Sequence, residues 1–244
     1  MYNLEVMDYG KRIISIIALL AVVFLTVVAG KGSVPYDRQE QAKELQRDII
    51  MEDPVDMAVR SAALIESGDL QGAGNVLSID ADKVTVITAS HVIADEEDIY
   101  VTLFGGMRCK AEARSNNADR DCCFLTVHPE AGLSSVTDIE SAKELPSAGD
   151  YVFMVLPFSP GSDTIGTVGF MEENAEVLAY AGIVKDPDIY SEDLTQNVIL
   201  CDIDVTEGMS GSGLFDENGR YLGLLIGGTG DHQGVFLPAD SIVR

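Results

Sequence analysis

The sequence predicts an all-β protein of two small closed barrels, preceded by an apolar amino-terminal segment and a short helical spacer. Three observations predict the barrels. Short β-branched runs recur from about residue 61 onward, Gly, Asn, Asp and Pro separate them, and no helical crossover of sufficient length intervenes. The runs are GNVLSI (74–79), KVTVITA (83–89), IYVTLF (99–104), CCFLTV (122–127), YVFMVL (151–156), NVILCDIDV (197–205) and YLGLLIGG (221–228). Residues 134–150 lack such a run and read as a connection. They separate two halves, 59–135 and 147–244, each large enough for one barrel.

Of the 244 residues, 46% are hydrophobic and 23% charged, so the chain folds around a core. Forty Asp plus Glu against sixteen Lys plus Arg give a net charge of −24. This repels a phosphate backbone and excludes a nucleic-acid partner. In the first thirty residues Glu5, Asp8, Lys11 and Arg12 cancel, so the whole surplus lies beyond them, where it draws cationic ligands.

Residues 13–29 (IISIIALLAVVFLTVVA) carry no charge. A helix of that length reaches about 25 Å, the lower edge of a membrane span. Lys11 and Arg12 precede it and acids dominate the chain beyond Lys31, so the positive-inside rule puts residues 1–12 in the cytoplasm and the rest outside. The expectation is a transmembrane helix or signal anchor over 13–30. Cleavage near Ala29 would give a secreted protein instead. Residues 31–58 form a spacer, helix-forming from Asp37 to Asp53 and ended by Pro54.

Cys109, Cys122, Cys123 and Cys201 are too few for a disulfide scaffold and lack zinc-site spacing. Adjacent Cys122 and Cys123 point to opposite faces of a strand and read as small buried hydrophobes, with a disulfide left open. No metal or organic cofactor is expected.

Three residues carry chemistry jointly. His91 follows the apolar run VTVITAS, where a side chain can face a cleft, although a lone histidine is more often packed or solvated. Asp121 stands between the turn-like SNNADR and CCFLTV, where an acid is usually a turn residue. Ser210 lies in EGMSGSGLF, where Gly208, Gly211 and Gly213 let the backbone turn sharply and bring N–H groups beside the hydroxyl. A serine becomes a nucleophile when an imidazole takes its proton, and the imidazole needs a carboxylate to fix its tautomer. The rival reading of this segment is a Gly/Ser-rich hairpin turn.

The order His91, Asp121, Ser210 on short strands resembles the chymotrypsin-like serine proteases. TASHV is similar to their TAAHC, RDCCFLTV to TDIAVLKV, and GMSGSGLF to GDSGGPLV. GMRCKAEARSNNADRD resembles the bacterial high-temperature-requirement type without a gap, AGDYVFMVLPFSPG is similar to its GEWVVAIGNPFG, and QGVFLP to its closing strand. The resemblance covers about residues 72–238. It implies two six-stranded antiparallel barrels, His91 and Asp121 in the first and Ser210 in the second. It implies that His91 is general base and acid, that Asp121 orients it, and that Ser210 forms an acyl-enzyme. The N–H groups of Gly208 and Ser210 would form the oxyanion hole. An α/β-hydrolase is excluded by the chain order and by Ser212 standing two residues after Ser210.

Met209 replaces the acid that receives a new amino terminus in trypsin-type zymogens, so that activation route is not expected. Ser212 and Gly213 replace the usual Gly-Pro. A carboxy-terminal peptide-binding module beyond Arg244 is not expected. The resemblance places Asp204 at the base of the primary specificity pocket, walled by Ile226, Gly227 and Gly228, with His232 near its rim. Asp202 and Asp204 also alternate with Cys201, Ile203 and Val205, the period of a half-exposed strand. Both readings stand, one giving basic substrates and the other leaving the acids in water. The sequence thus points to a membrane-tethered, extracytoplasmic serine endopeptidase acting on proteins or peptides. The alternative is a non-cleaving binding or sensor protein of the same fold.

Overall fold

The computed structural model describes residues 54–93, 98–130, 133–156, 178–192, 194–231 and 233–242. Val55–Arg244 forms one compact unit. The membrane segment over 13–30 and the spacer up to residue 53 lie outside the described residues, as do His232 and residues 157–161 of the AGDYVFMVLPFSPG motif. Among the described residues no helix is long and apolar enough to cross a membrane.

Pro54 begins a helix, α1 (Pro54–Ser61), while the helix expected from Asp37 to Asp53 lies outside the described residues. The first helical position lacks an intrahelical acceptor for its N–H in any case, so proline costs nothing there and presets φ. Asp56 in the first turn reaches Arg60 in the last at 2.5 Å, and the Ser61 hydroxyl closes the helix by donating to Ala58 O.

The first barrel is built from β1 (Ala62–Ser67), β2 (Leu70–Asp80), β3 (Lys83–Thr88), β4 (Ile99–Leu103), β5 (Met107–Asn117) and β6 (Cys122–Val127). The second is built from β7 (Tyr151–Leu156), β8 (Leu178–Ser191), β9 (Gln196–Asp204), β10 (Gly213–Asp216), β11 (Tyr221–Gly228) and β12 (Gln233–Pro238). Every pairing is antiparallel. β1 closes the first barrel by pairing with β4, and β10 closes the second by pairing with β7. Closure leaves no free sheet edge. A short helix, α2 (Ala239–Ile242), comes after β12. Residues 136–150 run as the irregular connection the sequence predicts, apart from an isolated bridge of Ser141 to Tyr221.

The cores explain the patterning. Ile65, Val76, Val86, Val101, Leu103 and Leu125 fill the first barrel. Met154, Leu156, Ile199, Cys201, Leu214, Leu225 and Phe236 fill the second. Leu64 and Ala73 belong to strands of the first barrel, yet they pack in the second cluster. Successive side chains of a strand point to opposite faces, so β1 sends Ala63 and Ile65 inward and Leu64 across the seam between the barrels. Burying Leu64 there stabilises the docked state by about 2 kcal/mol. The same geometry buries both Cys122 and Cys123. All four cysteines are free thiols, and burial pushes Cys123 up to about 11 and Cys201 up to about 12. Such thiols are neutral and unreactive.

Candidate active site

His91 occupies a single 3-10 turn, Ser90–Val92, immediately after β3. The apolar strand anchors the turn from behind, and the Ser90 hydroxyl ties it to Asn116 on β5. The imidazole is left half-exposed while its neighbours Ser90 and Val92 are buried.

Asp121 ends the turn before β6 with φ +53. Left-handed backbone is tolerated by Asp far better than by branched residues. Its N–H donates to Ala118 O, and the Arg120 N–H donates to the side chain of Asn117. The Arg120 guanidinium donates to Ser241 O on α2, fastening the loop to the carboxy-terminal end of the chain. So held, the carboxylate grips His91 twice. Oδ2 lies 2.7 Å from His91 Nδ1, and Oδ1 accepts the His91 backbone N–H at 3.0 Å. An anionic acceptor at Nδ1 places the ring proton there and leaves Nε2 with a free lone pair. The hydrogen bond with Asp121 raises the His91 pKa above its ordinary 6.5, partial burial opposes this, and the carboxylate's charge adds to the rise.

Ser210 lies in the turn between β9 and β10, partly buried, flanked by Gly208 and Gly211, both at φ +88. That conformation suits glycine alone among common residues. The turn is held across the seam: Ala73 N–H on β2 donates to Ser210 O at 2.8 Å. A Cβ on Gly72 would lie 2.7 Å from the Val92 side chain and 2.9 Å from Ser210 O. One small residue therefore brings the neighbour of His91 and the backbone of Ser210 against the same point. Within the turn, Met209 N–H donates to Thr206 O and Gly211 N–H to Leu225 O. The N–H groups of Gly208 and Ser210 have no acceptor among the described residues. Paired donors without acceptors beside a hydroxyl suit an oxyanion. Met209 is buried, and its sulfur accepts the Thr206 N–H at 3.4 Å.

The remaining sequence-derived residues stand on β9 and β11. Cys201, Ile203 and Val205 are buried while Asp202 and Asp204 are exposed, the alternation read from the sequence. Asp204 is registered against Gln233 of β12. It also lies near Tyr180, whose pKa is raised first by burial and then by this carboxylate. Ile226 is buried, whereas a Cβ on Gly227 would meet open space. A Cβ on Gly228 would lie 2.7 Å from Val205 Cγ2, and one on Gly234 would lie 3.3 Å from Val205 Cγ1. No group of His, Cys, Asp and Glu among the described residues could hold a metal ion.

Sequence reasoning missed the residues that carry the Ser210 turn: Ala73, Asn75, Thr88 and Leu225. Three of them act through backbone atoms or through a hydroxyl bonded to backbone, which leave little mark on residue type. Only Asn75, a polar residue in the apolar run GNVLSI, could have been noticed.

Solved structures of the Rv3671c protease share this architecture. The active form from M. tuberculosis is 24% identical with a TM-score of 0.60, covering 78% of this chain and 81% of that one. An inactive form of the Rv3671c protease is 25% identical with a TM-score of 0.60, over 78% and 89% of the two chains. An inactive serine-to-alanine mutant of Rv3671c from M. tuberculosis is 24% identical with a TM-score of 0.60, over 79% and 87%. No curated protein sequence matches the chain. Residues 72–224 match the trypsin-like peptidase domain, more than half of the sequence, and the chain belongs to the trypsin-like peptidase family.

Proposed function

We propose that the chain is a serine endopeptidase, tethered to a membrane by residues 13–30 with its barrels on the extracytoplasmic side. The observation that carries the activity is the doubly held His91–Asp121 pair, at 2.7 Å between side chains and 3.0 Å to the backbone. His91 Nε2 removes the Ser210 proton, Ser210 Oγ attacks the peptide carbonyl, and the tetrahedral oxyanion sits against the N–H groups of Gly208 and Ser210. The imidazolium then protonates the leaving amine, and water repeats the sequence on the acyl-enzyme. Each oxyanion donor is worth about 3 kcal/mol in such a site. The tether rests on the uncharged run 13–29 behind Lys11 and Arg12. Within the family, the ungapped GMRCKAEARSNNADRD run favours the high-temperature-requirement type.

The test is covalent. The full-length chain treated with a fluorophosphonate probe should be labelled, and Ser210→Ala should not. A folded wild type that stays unlabelled would leave the non-cleaving binding protein as the better reading.

For specificity we propose an apolar primary pocket bounded by Ile226, Gly227 and Gly228, with Val205 as its floor and Asp204 facing water. The support is the Val205 side chain lodged against Gly228 and the exposure of Asp204. A peptide-library digest should then favour small aliphatic residues before the cut, and Asp204→Asn should leave that preference unchanged within about twofold, since an exposed charge is screened by solvent. A strong Arg or Lys preference that disappears in Asp204→Asn would reverse the assignment.

A further inference from the structure

Asn75 sits on β2 of the first barrel, between Ala62 of β1 and Ile87 of β3, and is 1% exposed. Its Nδ2 donates to Gly211 O at 3.0 Å, across 136 residues of sequence and across the seam between barrels. Its Oδ1 is buried and finds no donor among the described residues. A buried amide carbonyl without a partner destabilises the fold; an apolar side chain of similar size would avoid that cost but would leave the buried Gly211 carbonyl without its donor, so the two effects roughly offset. Stability alone does not account for an asparagine here.

The peptides around Gly211 show what the amide does. In the peptide joining Ser210 to Gly211, the carbonyl accepts from Ala73 N and the N–H donates to Leu225 O. In the next peptide, the Ser212 N–H donates to Met209 O at 3.2 Å, and the carbonyl is the Gly211 oxygen held by Asn75. All four polar groups of the two peptides after the nucleophile are engaged. Three are engaged by backbone atoms that no substitution removes, and the fourth depends on one side chain. The hinge between these peptides is a glycine at φ +88, the residue with the least intrinsic restraint.

We propose that Asn75 is a positioning residue for Ser210: by fixing the Gly211 carbonyl to the first barrel, it prevents the nucleophile turn from rotating about its glycine and keeps Ser210 and its neighbouring N–H donors aimed at the scissile carbonyl. The proposal rests on Ser210 being the nucleophile. Small misplacements of reacting groups are costly, with an error near 1 Å worth about a hundredfold in rate.

The discriminating pair is Asn75→Thr and Asn75→Val in the full-length chain. The two residues share a shape, but only threonine carries a hydroxyl that can donate to the Gly211 carbonyl. Fluorophosphonate inactivation measured over a range of probe concentrations separates reactivity (kinact) from probe binding (KI). For Asn75→Val, kinact should fall tenfold or more with KI within about twofold of wild type, while the melting temperature changes by no more than a few degrees, because relief of the unpartnered Oδ1 and loss of the donor to the buried Gly211 carbonyl roughly offset. Asn75→Thr should recover several-fold of the lost kinact. Equal kinact for wild type and Asn75→Val overturns the role of Asn75 while leaving the peptidase reading intact. Thr and Val variants with the same lowered kinact also overturn it, as does a fall in kinact fully accounted for by loss of folded protein at the assay temperature. A wild type that does not react overturns the peptidase reading and this inference with it. Should the valine chain not fold, Asn75→Ser against Asn75→Ala poses the same donor question in a smaller side chain and is read the same way.

Discussion

Asp121→Asn should lower the rate of Ser210 acylation by about four orders of magnitude while leaving the barrels folded. The reason lies in the two bonds the carboxylate makes. Oδ1 accepts the His91 backbone N–H, a demand that only an oxygen can satisfy, so the asparagine amide must orient with its oxygen there. Its NH2 then faces His91 Nδ1, where Oδ2 stood at 2.7 Å. Two donors cannot face each other, so Nδ1 gives up its proton and Nε2 carries it. The nitrogen that must accept from Ser210 is thereby blocked.

The pH dependence has a definite sign. General-base catalysis needs neutral His91, so activity falls as pH drops through the raised pKa, above the ordinary 6.5. The variant loses both the hydrogen bond and the charge that raise it and keeps the burial that lowers it, so its acid limb should move to lower pH. Folding stability moves oppositely. A raised histidine pKa means that protonated His91 binds more tightly in the folded state. That contribution is full below the unfolded value near 6.5 and is lost as pH rises through the folded value. Denaturant titrations of wild type and Asp121→Asn should therefore differ most at mildly acidic pH and converge at alkaline pH. A wild-type advantage that grows with pH above 6.5 would contradict the assignment.

Gly211→Ala should be severely damaging. At φ +88 any side chain is strained, by about 1–3 kcal/mol. The added Cβ would also collide with the Ala73 carbonyl oxygen and lie 2.6 Å from Thr88 Oγ1. Those two atoms are themselves bonded, the Thr88 hydroxyl donating to Ala73 O at 2.6 Å, so neither is free to yield. Overpacking against fixed backbone costs a further 1–3 kcal/mol or so. Denaturant unfolding should register a loss of roughly 2–6 kcal/mol, and fluorophosphonate labelling should vanish. Gly230→Ala is the control, since its Cβ would meet nothing within 4 Å, and its stability should change by about 0.5 kcal/mol or less. Equal stability of the two variants would refute the packing described for the turn.

Three strands buried on both faces were legible, whereas β1 and β10, just as buried, and the strands held by pairing alone were not. CCFLTV, YVFMVL and YLGLLIGG correspond residue for residue to β6, β7 and β11, because a barrel interior on one side and a covered surface on the other leave an uninterrupted apolar run. β5 escaped notice because nearly all of Met107–Asn117 faces water; its ladders to β4 and β6 hold it as a strand. β8 was hidden by Asp186, Pro187 and Asp188, where its register with β9 shifts and a residue without an N–H is tolerated.

The same division holds at the site. His91 and Asp121, which the structure brings together, could be picked out because imidazole and carboxylate chemistry is written in residue type. The cradle around Ser210 could not, since its contacts across the seam reach backbone atoms more than 100 residues away in the chain. The exposure of Asp204 was legible from strand alternation.

Neither half of the molecule is self-sufficient. The serine belongs to one barrel, but the carbonyls on either side of Gly211 are moored to the other through Ala73 and Asn75. A wedge driven into the seam would release the Ser210 turn while each barrel still kept its own strands. Catalytic competence is thus a gauge of how well the two halves are seated, and it would fail before either of them melts.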